Sequence, residues 1–218
     1  MNEVLYKALT WAIPILYAIT LHEAAHAYVA KYFGDNTAYS LGRMSLNPIR
    51  HIDPVGTLIL PVVLLLVKSP FIFGYAKPVP VNFGKLRNPR SSMAYVALAG
   101  PLSNLLMVLM WQVAGKVLLV AGVKTDFLLK MVEAGVIINL VLFAFNLFPL
   151  PPLDGGRILT SLLPVPVARI FARVEPFGFF ILIGLLYFGV LRYWMRPLIT
   201  FGAIAVQTVL MPFSFLWR

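Results

Sequence analysis

Apolar and polar positions fall in long blocks along this chain. Residues 4–33 form a nearly continuous apolar run, and the block predicts one helix about 45 Å long at 1.5 Å per residue. That exceeds the ~30 Å of hydrocarbon in a bilayer. Gly34-Asp35-Asn36 ends the run, and residues 35–56 are polar, rich in Ser, Asn, Gly and Pro. An apolar, β-branched stretch at 57–67 is interrupted by Lys68-Ser69-Pro70, resumes at 71–76, and gives way to a polar, basic segment at 77–90. Further apolar runs at 93–119, 127–148, 177–191 and 198–216 have the length of a membrane crossing, or nearly so. Residues 164–174, with Arg169 and Arg173 four apart, suit the interface. The expected fold is an all-α polytopic membrane protein of about five transmembrane helices, with a re-entrant hairpin and short β segments near residues 36–90. No internal repeat or long linker divides it, so residues 1–218 are expected to form a single membrane-embedded domain.

Composition narrows the class. Of 218 residues, 60% are hydrophobic and 12% charged, which places the chain in the bilayer. Cysteine is absent, so disulfides, thiolate metal sites and cysteine nucleophiles are excluded, and any metal must be held by His, Asp or Glu. The net charge of +10 does not indicate nucleic acid, because the basic residues stand singly between apolar runs with no aromatic-interleaved stripe. They fit the Lys and Arg excess of cytoplasmic loops instead. Removal of the first run as a signal peptide at Ala24–Ala27 would discard the only His-Glu pair in the chain.

The chemistry sits in the first run. His22 and His26 are four residues apart and share one helix face, so both imidazoles can reach one ion, and Glu23 lies beside them. This is the His-Glu-x-x-His zinc pattern, in which the glutamate assists water and does not bind the metal. Ionisable groups at membrane depth are costly unless ligated, paired or hydrated, and their default meaning is functional. A catalytic zinc takes three protein ligands and keeps a fourth position open. The candidates for the third are one other histidine, His51, and seven other acidic residues. Asp154 stands apart, because it follows an apolar run through Asn146-Leu147-Phe148-Pro149-Leu150-Pro151-Pro152. The prolines stop the helix, and Gly155-Gly156 permit tight backbone beside a ligand.

Topology links these residues. If 57–74 crossed the membrane once, residue 149 would emerge opposite the end of the first helix. A hairpin turning near Lys68-Ser69-Pro70 brings both to one face, its irregular backbone buried in protein or lining water. It also gathers eleven of the eighteen Lys and Arg residues on that face.

Three motifs together, His22-Glu23-Ala24-Ala25-His26, Gly100-Pro101-Leu102-Ser103-Asn104 and Asn146 through Leu153-Asp154-Gly155, resemble the site-2 protease family of intramembrane zinc metalloproteases, in particular its compact members without PDZ or CBS domains. The stretches 45–54 and 74–82 resemble one small-protein branch of it. The resemblance covers most of residues 18–157 and implies a catalytic core over about 4–157, with C-terminal helices at about 174–217. It implies one zinc ion on His22, His26 and Asp154, and Glu23 as the general base that passes a proton from water to the leaving amine. The implied activity is hydrolysis of a peptide bond in or near a transmembrane segment of a membrane-protein substrate, in regulated intramembrane proteolysis, at the cytosolic side of a prokaryotic cell membrane.

Asn104 and Asn146 are amides at membrane depth that can donate to an oxyanion or hold a substrate strand, or instead bond between helices. His51 is expected to serve loop structure, with orientation of a ligand from behind as its other reading. The Lys77–Asn82 stretch, kept extended by its prolines, is a loop that could also offer an edge to substrate. The competing function is a non-proteolytic metal-binding or metal-transporting membrane protein. Such a protein needs the three ligands but not Glu23, and a transporter would carry ionisable residues along a route that the C-terminal runs lack. Nothing in the residues sets an oligomeric state.

Overall fold

The computed structural model describes residues 3–67 and 77–217. The first apolar run is one helix, α1 (Glu3–Tyr32), with Pro14 inside it. After a turn of helix α2 (Thr37–Ser40) and a 3₁₀ turn at Pro48–His51 come a π-helical turn, Pro54–Ile59, and the short helix α3 (Leu60–Leu66). Two long helices follow, α4 (Pro89–Val120) and α5 (Asp126–Asn146). The chain ends with α6 (Asp154–Leu162), α7 (Val165–Ala172), α8 (Glu175–Tyr187) and α9 (Val190–Leu210), then a 3₁₀ stretch to Trp217.

Helices α1, α4 and α5 pack mutually, with α6 against α4 and α9 against α5. Small residues allow this. Ala18, Ala24, Ala27 and Ala30 line the buried side of α1, and Ala134 and Ala144 that of α5, the pattern expected where hydrophobic exclusion from water does not drive helix association. Large apolar side chains such as Leu9, Ile13, Leu106, Phe180 and Phe201 point outward, which suits a lipid surround.

Among the described residues, four helical stretches are long and apolar enough to cross a membrane: Leu5–Tyr32, Pro89–Val120, Asp126–Asn146 and Val190–Trp217. A fifth exists only if α7 and α8, bent by 65° at their junction, count as one span. The expected crossing at 177–191 is therefore shortened. Pro176 in the first turn starts α8, and Gly189, at φ 69°, ends it, leaving about 20 Å of helix. The last crossing starts earlier than the run at 198–216, because Pro197 is accommodated inside α9.

The expected short β segments are absent among the described residues. Residues 77–82 run without regular structure, and their donors go elsewhere than to a neighbouring strand. Pro78 and Pro80 have no N–H. The Lys77 N–H donates to the His51 carbonyl (3.0 Å), that of Val79 to Glu23 Oε2 (2.6 Å) and that of Asn82 to Asp35 Oδ2 (2.6 Å). Asp35 and Asn82 thus meet at one end of the bundle, where the Arg87 N–H also donates to the Phe33 carbonyl (2.8 Å). The segment between α1 and residue 77 therefore begins and ends on one side, as a hairpin requires. The turn expected at 68–70 lies outside the described residues. At the opposite end, the Tyr6 hydroxyl donates to Asp126 (2.7 Å), tying α1 to α5.

Asp35 anchors this corner. Burial alone would push its carboxyl up, but bonds from the Thr37 hydroxyl and from the Asn82 and Thr37 N–H groups, with the charge of Lys85, hold it below its ordinary value. A lowered carboxyl stabilises the fold above its ordinary titration range, and that contribution is lost as pH falls through the folded value. Asp35→Ala is expected to cost roughly 1.5–3 kcal/mol and to raise hydrogen exchange at Val79 and Asn82, measured in detergent at neutral pH. Wild type should show the same loosening only in acid.

Candidate metal centre

Each of the three candidate ligands arrives from a different local cause. On α1, His22 and His26 are one turn apart and face α4. There Gly100 leaves the space: a Cβ on Gly100 would lie 2.4 Å from His26 Nε2 and 2.5 Å from His22 Cε1. Asp154 opens α6. The loop before it folds back so closely that a Cβ on Gly155 would meet the Leu147 carbonyl at 2.2 Å and one on Gly156 the Pro151 nitrogen at 2.2 Å. Only glycine allows this wrap, which carries the carboxylate to the imidazoles.

The three ligand atoms converge. His22 Nε2 and His26 Nε2 are 3.1 Å apart, and Asp154 Oδ2 lies 3.2 Å from the first and 3.4 Å from the second. They form the only metal-capable cluster of three such groups among the described residues, and all three are buried. The other ring nitrogens set the tautomers. His26 Nδ1 donates to the Val96 carbonyl (2.7 Å), and His22 Nδ1 donates to Asn104 Oδ1 (2.7 Å). In neutral rings both Nε2 atoms then present lone pairs. Asp154 Oδ2 is buried without a hydrogen-bond donor. Two lone pairs and a carboxylate oxygen facing one point repel each other unless a cation sits among them, and two imidazoles with one carboxylate are a zinc donor set.

Asn104 is 0% exposed and stands behind His22. Its Nδ2 donates to the Ala18 carbonyl (3.2 Å) and to Asn139 Oδ1 (2.9 Å), and Asn139 Nδ2 donates in turn to the Gly135 carbonyl (2.8 Å). The amide is fully committed to holding the imidazole. Asn146, in contrast, lines the cavity beside the cluster, with Nδ2 donating to the Leu142 carbonyl (3.0 Å). Glu23 lines the same cavity of about 140 Å³, room for several waters. His51 belongs elsewhere: it is buried, with Nε2 donating to the Ser45 carbonyl (2.8 Å), and it faces Leu16, Ile19 and Thr20 of α1.

Asn139, the Val79 N–H, the Val96 carbonyl and Arg157 were not singled out by the sequence reading. Asn139 could have been found as a second amide inside the apolar run of α5, two turns before Asn146. The backbone groups leave no mark in residue types. Asn139→Leu is expected to lower zinc affinity roughly 10- to 100-fold, measured by chelator competition, because Asn104 loses the acceptor that fixes its orientation.

This arrangement defines a zinc metallopeptidase within a helical membrane protein, and the chain belongs to peptidase family M50, the site-2 protease family. The family's model matches residues 107–188. The chain is 38% identical over 214 residues to "Putative zinc metalloprotease YwhC" of Bacillus subtilis, covering 93% of each chain. It is 29% identical over 216 residues to "Putative zinc metalloprotease Rip2" of Mycobacterium tuberculosis, covering 93% of this chain and 79% of that one. With Rip2 of Mycolicibacterium smegmatis the figures are 28% over 192 residues, 84% and 69%. No solved structure matches significantly. The protein is a zinc-dependent metallo-endopeptidase of the membrane.

Proposed function

We propose that this protein hydrolyses a peptide bond in or near a transmembrane segment of a membrane-protein substrate, in regulated intramembrane proteolysis, with its site toward the cytosolic side. The observation that supports this best is the convergence of His22, His26 and Asp154 on one point beside Glu23, in a cavity within an apolar helical bundle. We read residues 1–218 as one domain, with His22, His26 and Asp154 as zinc ligands and Glu23 as the base. When bound, zinc supplies Lewis acidity that activates water and polarises the scissile carbonyl.

The chain's own groups do the rest. One Glu23 oxygen accepts from Val79, which aims the carboxylate, and the other takes a proton from the attacking water and passes it to the leaving nitrogen. Asn104 is a positioning residue for His22; Asn146, which lines the cavity and has a second N–H beyond its bond to Leu142, donates to the developing oxyanion in this reading. The substrate must unwind, since a helix keeps its carbonyls in its own bonds, and the irregular 77–82 segment gives an extended chain a neighbour of like conformation.

The test incubates purified protein with several model transmembrane peptides, with and without a zinc chelator. Chelator-sensitive internal cleavage of at least one supports the proposal. Zinc-loaded protein that cuts none of them contradicts it.

A further inference from the structure

Arg157 sits one helical turn after Asp154 on α6 and lines the same cavity as His22, Glu23 and Asp154. Its guanidinium carbon lies 5.4 Å from the centre of the Phe83 ring, stacked on an apolar face that orients it without satisfying any donor. Other arginines at this end of the bundle direct their donors to backbone carbonyls. Arg43 donates to Arg50 and Lys77, Arg50 to Gly42, and Arg90 to Ser161, Leu162 and Leu163, closing the end of α6. Among the described residues the Arg157 guanidinium has neither a hydrogen-bond acceptor nor a carboxylate within ion-pair distance; the Lys pairs are with Glu3 and Asp126, on the opposite end. A half-buried cation held beside a membrane-depth cavity is costly unless it serves a partner. A guanidinium's planar fork of donors, with no acceptor, matches a carboxylate.

We propose that Arg157 forms a subsite for a substrate carboxylate, so that the enzyme favours an acidic residue close to the scissile bond. The inference rests on the proteolytic reading above. One helical turn separates Arg157 from Asp154, about 5 Å along the axis, and an extended substrate advances about 3.3 Å per residue. The acidic side chain therefore falls within about two residues of the cut. Phe83 sets the reach of the guanidinium, and the Val79 N–H holds one Glu23 oxygen, with no ion pair between Glu23 and Arg157 among the described residues.

The experiment uses one cleavable transmembrane peptide with Asp, Asn or Lys at each of the two positions on either side of the cut, in amidated and free-carboxylate forms. Wild type is expected to favour Asp over Asn in kcat/KM by about 10- to 100-fold at one position. Arg157→Met should bring that ratio to about one with zinc content unchanged, and Arg157→Glu should shift preference to Lys. Preference for a free terminus with none for Asp would assign Arg157 to a chain-end carboxylate and so overturn the side-chain subsite. Affinity of the Glu23→Gln protein for the same peptides reads the discrimination without turnover, so failure to cleave is separable from failure of this subsite. Equal handling of Asp and Asn by wild type, or a ratio unmoved by Arg157→Met, overturns the proposal.

Discussion

A Glu23→Gln protein is expected to lose cleavage by about 10²- to 10⁴-fold while binding one zinc with unchanged affinity. The substitution keeps the shape of the side chain and an oxygen that can accept from the Val79 N–H, which now meets Glu23 Oε2 at 2.6 Å. The 77–82 segment should stay in place, and Glu23 is not within the cluster of His22, His26 and Asp154. What disappears is the basic oxygen. Initial rates on a cleaved transmembrane peptide, together with metal content by atomic absorption, separate the two effects. Substantial cleavage by the zinc-loaded variant would remove Glu23 from the role of base.

Gly100→Ala should be nearly as damaging by a different route. A methyl there would lie 2.4 Å from His26 Nε2 and 2.6 Å from His26 Cε1, well inside contact distance. The imidazoles cannot simply retreat, because Asn104 and Val96 hold their Nδ1 atoms from behind. Either those bonds break or α4 moves off α1, and both spread the ligand atoms. Zinc affinity is expected to fall roughly 100-fold, with activity falling alongside it. Gly184→Ala, where nothing lies within 4 Å of the added methyl, is the matched control and should change neither. Normal affinity in the Gly100 variant would contradict the close packing of α4 on the imidazoles of α1.

Much of this was legible in the residues. The length of α1, the single helix face shared by His22 and His26, and the proline-broken approach to Asp154 follow from periodicity and from the scarcity of ionisable groups in apolar runs. The return of the chain to one side before α4 followed from the need to bring Asp154 back to α1. The residues said less where the deciding partner is a backbone group. Nothing in Val79 or Val96 announces that their N–H and carbonyl aim Glu23 and His26. The short strands expected near 36–90 do not form among the described residues, and in the 77–82 loop the donors are taken by His51, Glu23 and Asp35. Apolar run length placed the last two helices poorly, because Pro176 and Gly189 set their ends and Pro197 does not interrupt α9. Depth alone leaves Asn104 open between an oxyanion donor and an interhelical bond, and the fold places it behind His22, bonded to Ala18 and Asn139 and not toward substrate.

X-ray absorption spectroscopy of the zinc-loaded protein, for wild type and His51→Asn, measures the ligand set itself. Two imidazoles with two further oxygen ligands at about 2.0–2.2 Å, unchanged in the His51 variant, is the predicted result. A third imidazole that vanishes with His51→Asn would contradict a centre built from His22, His26 and Asp154.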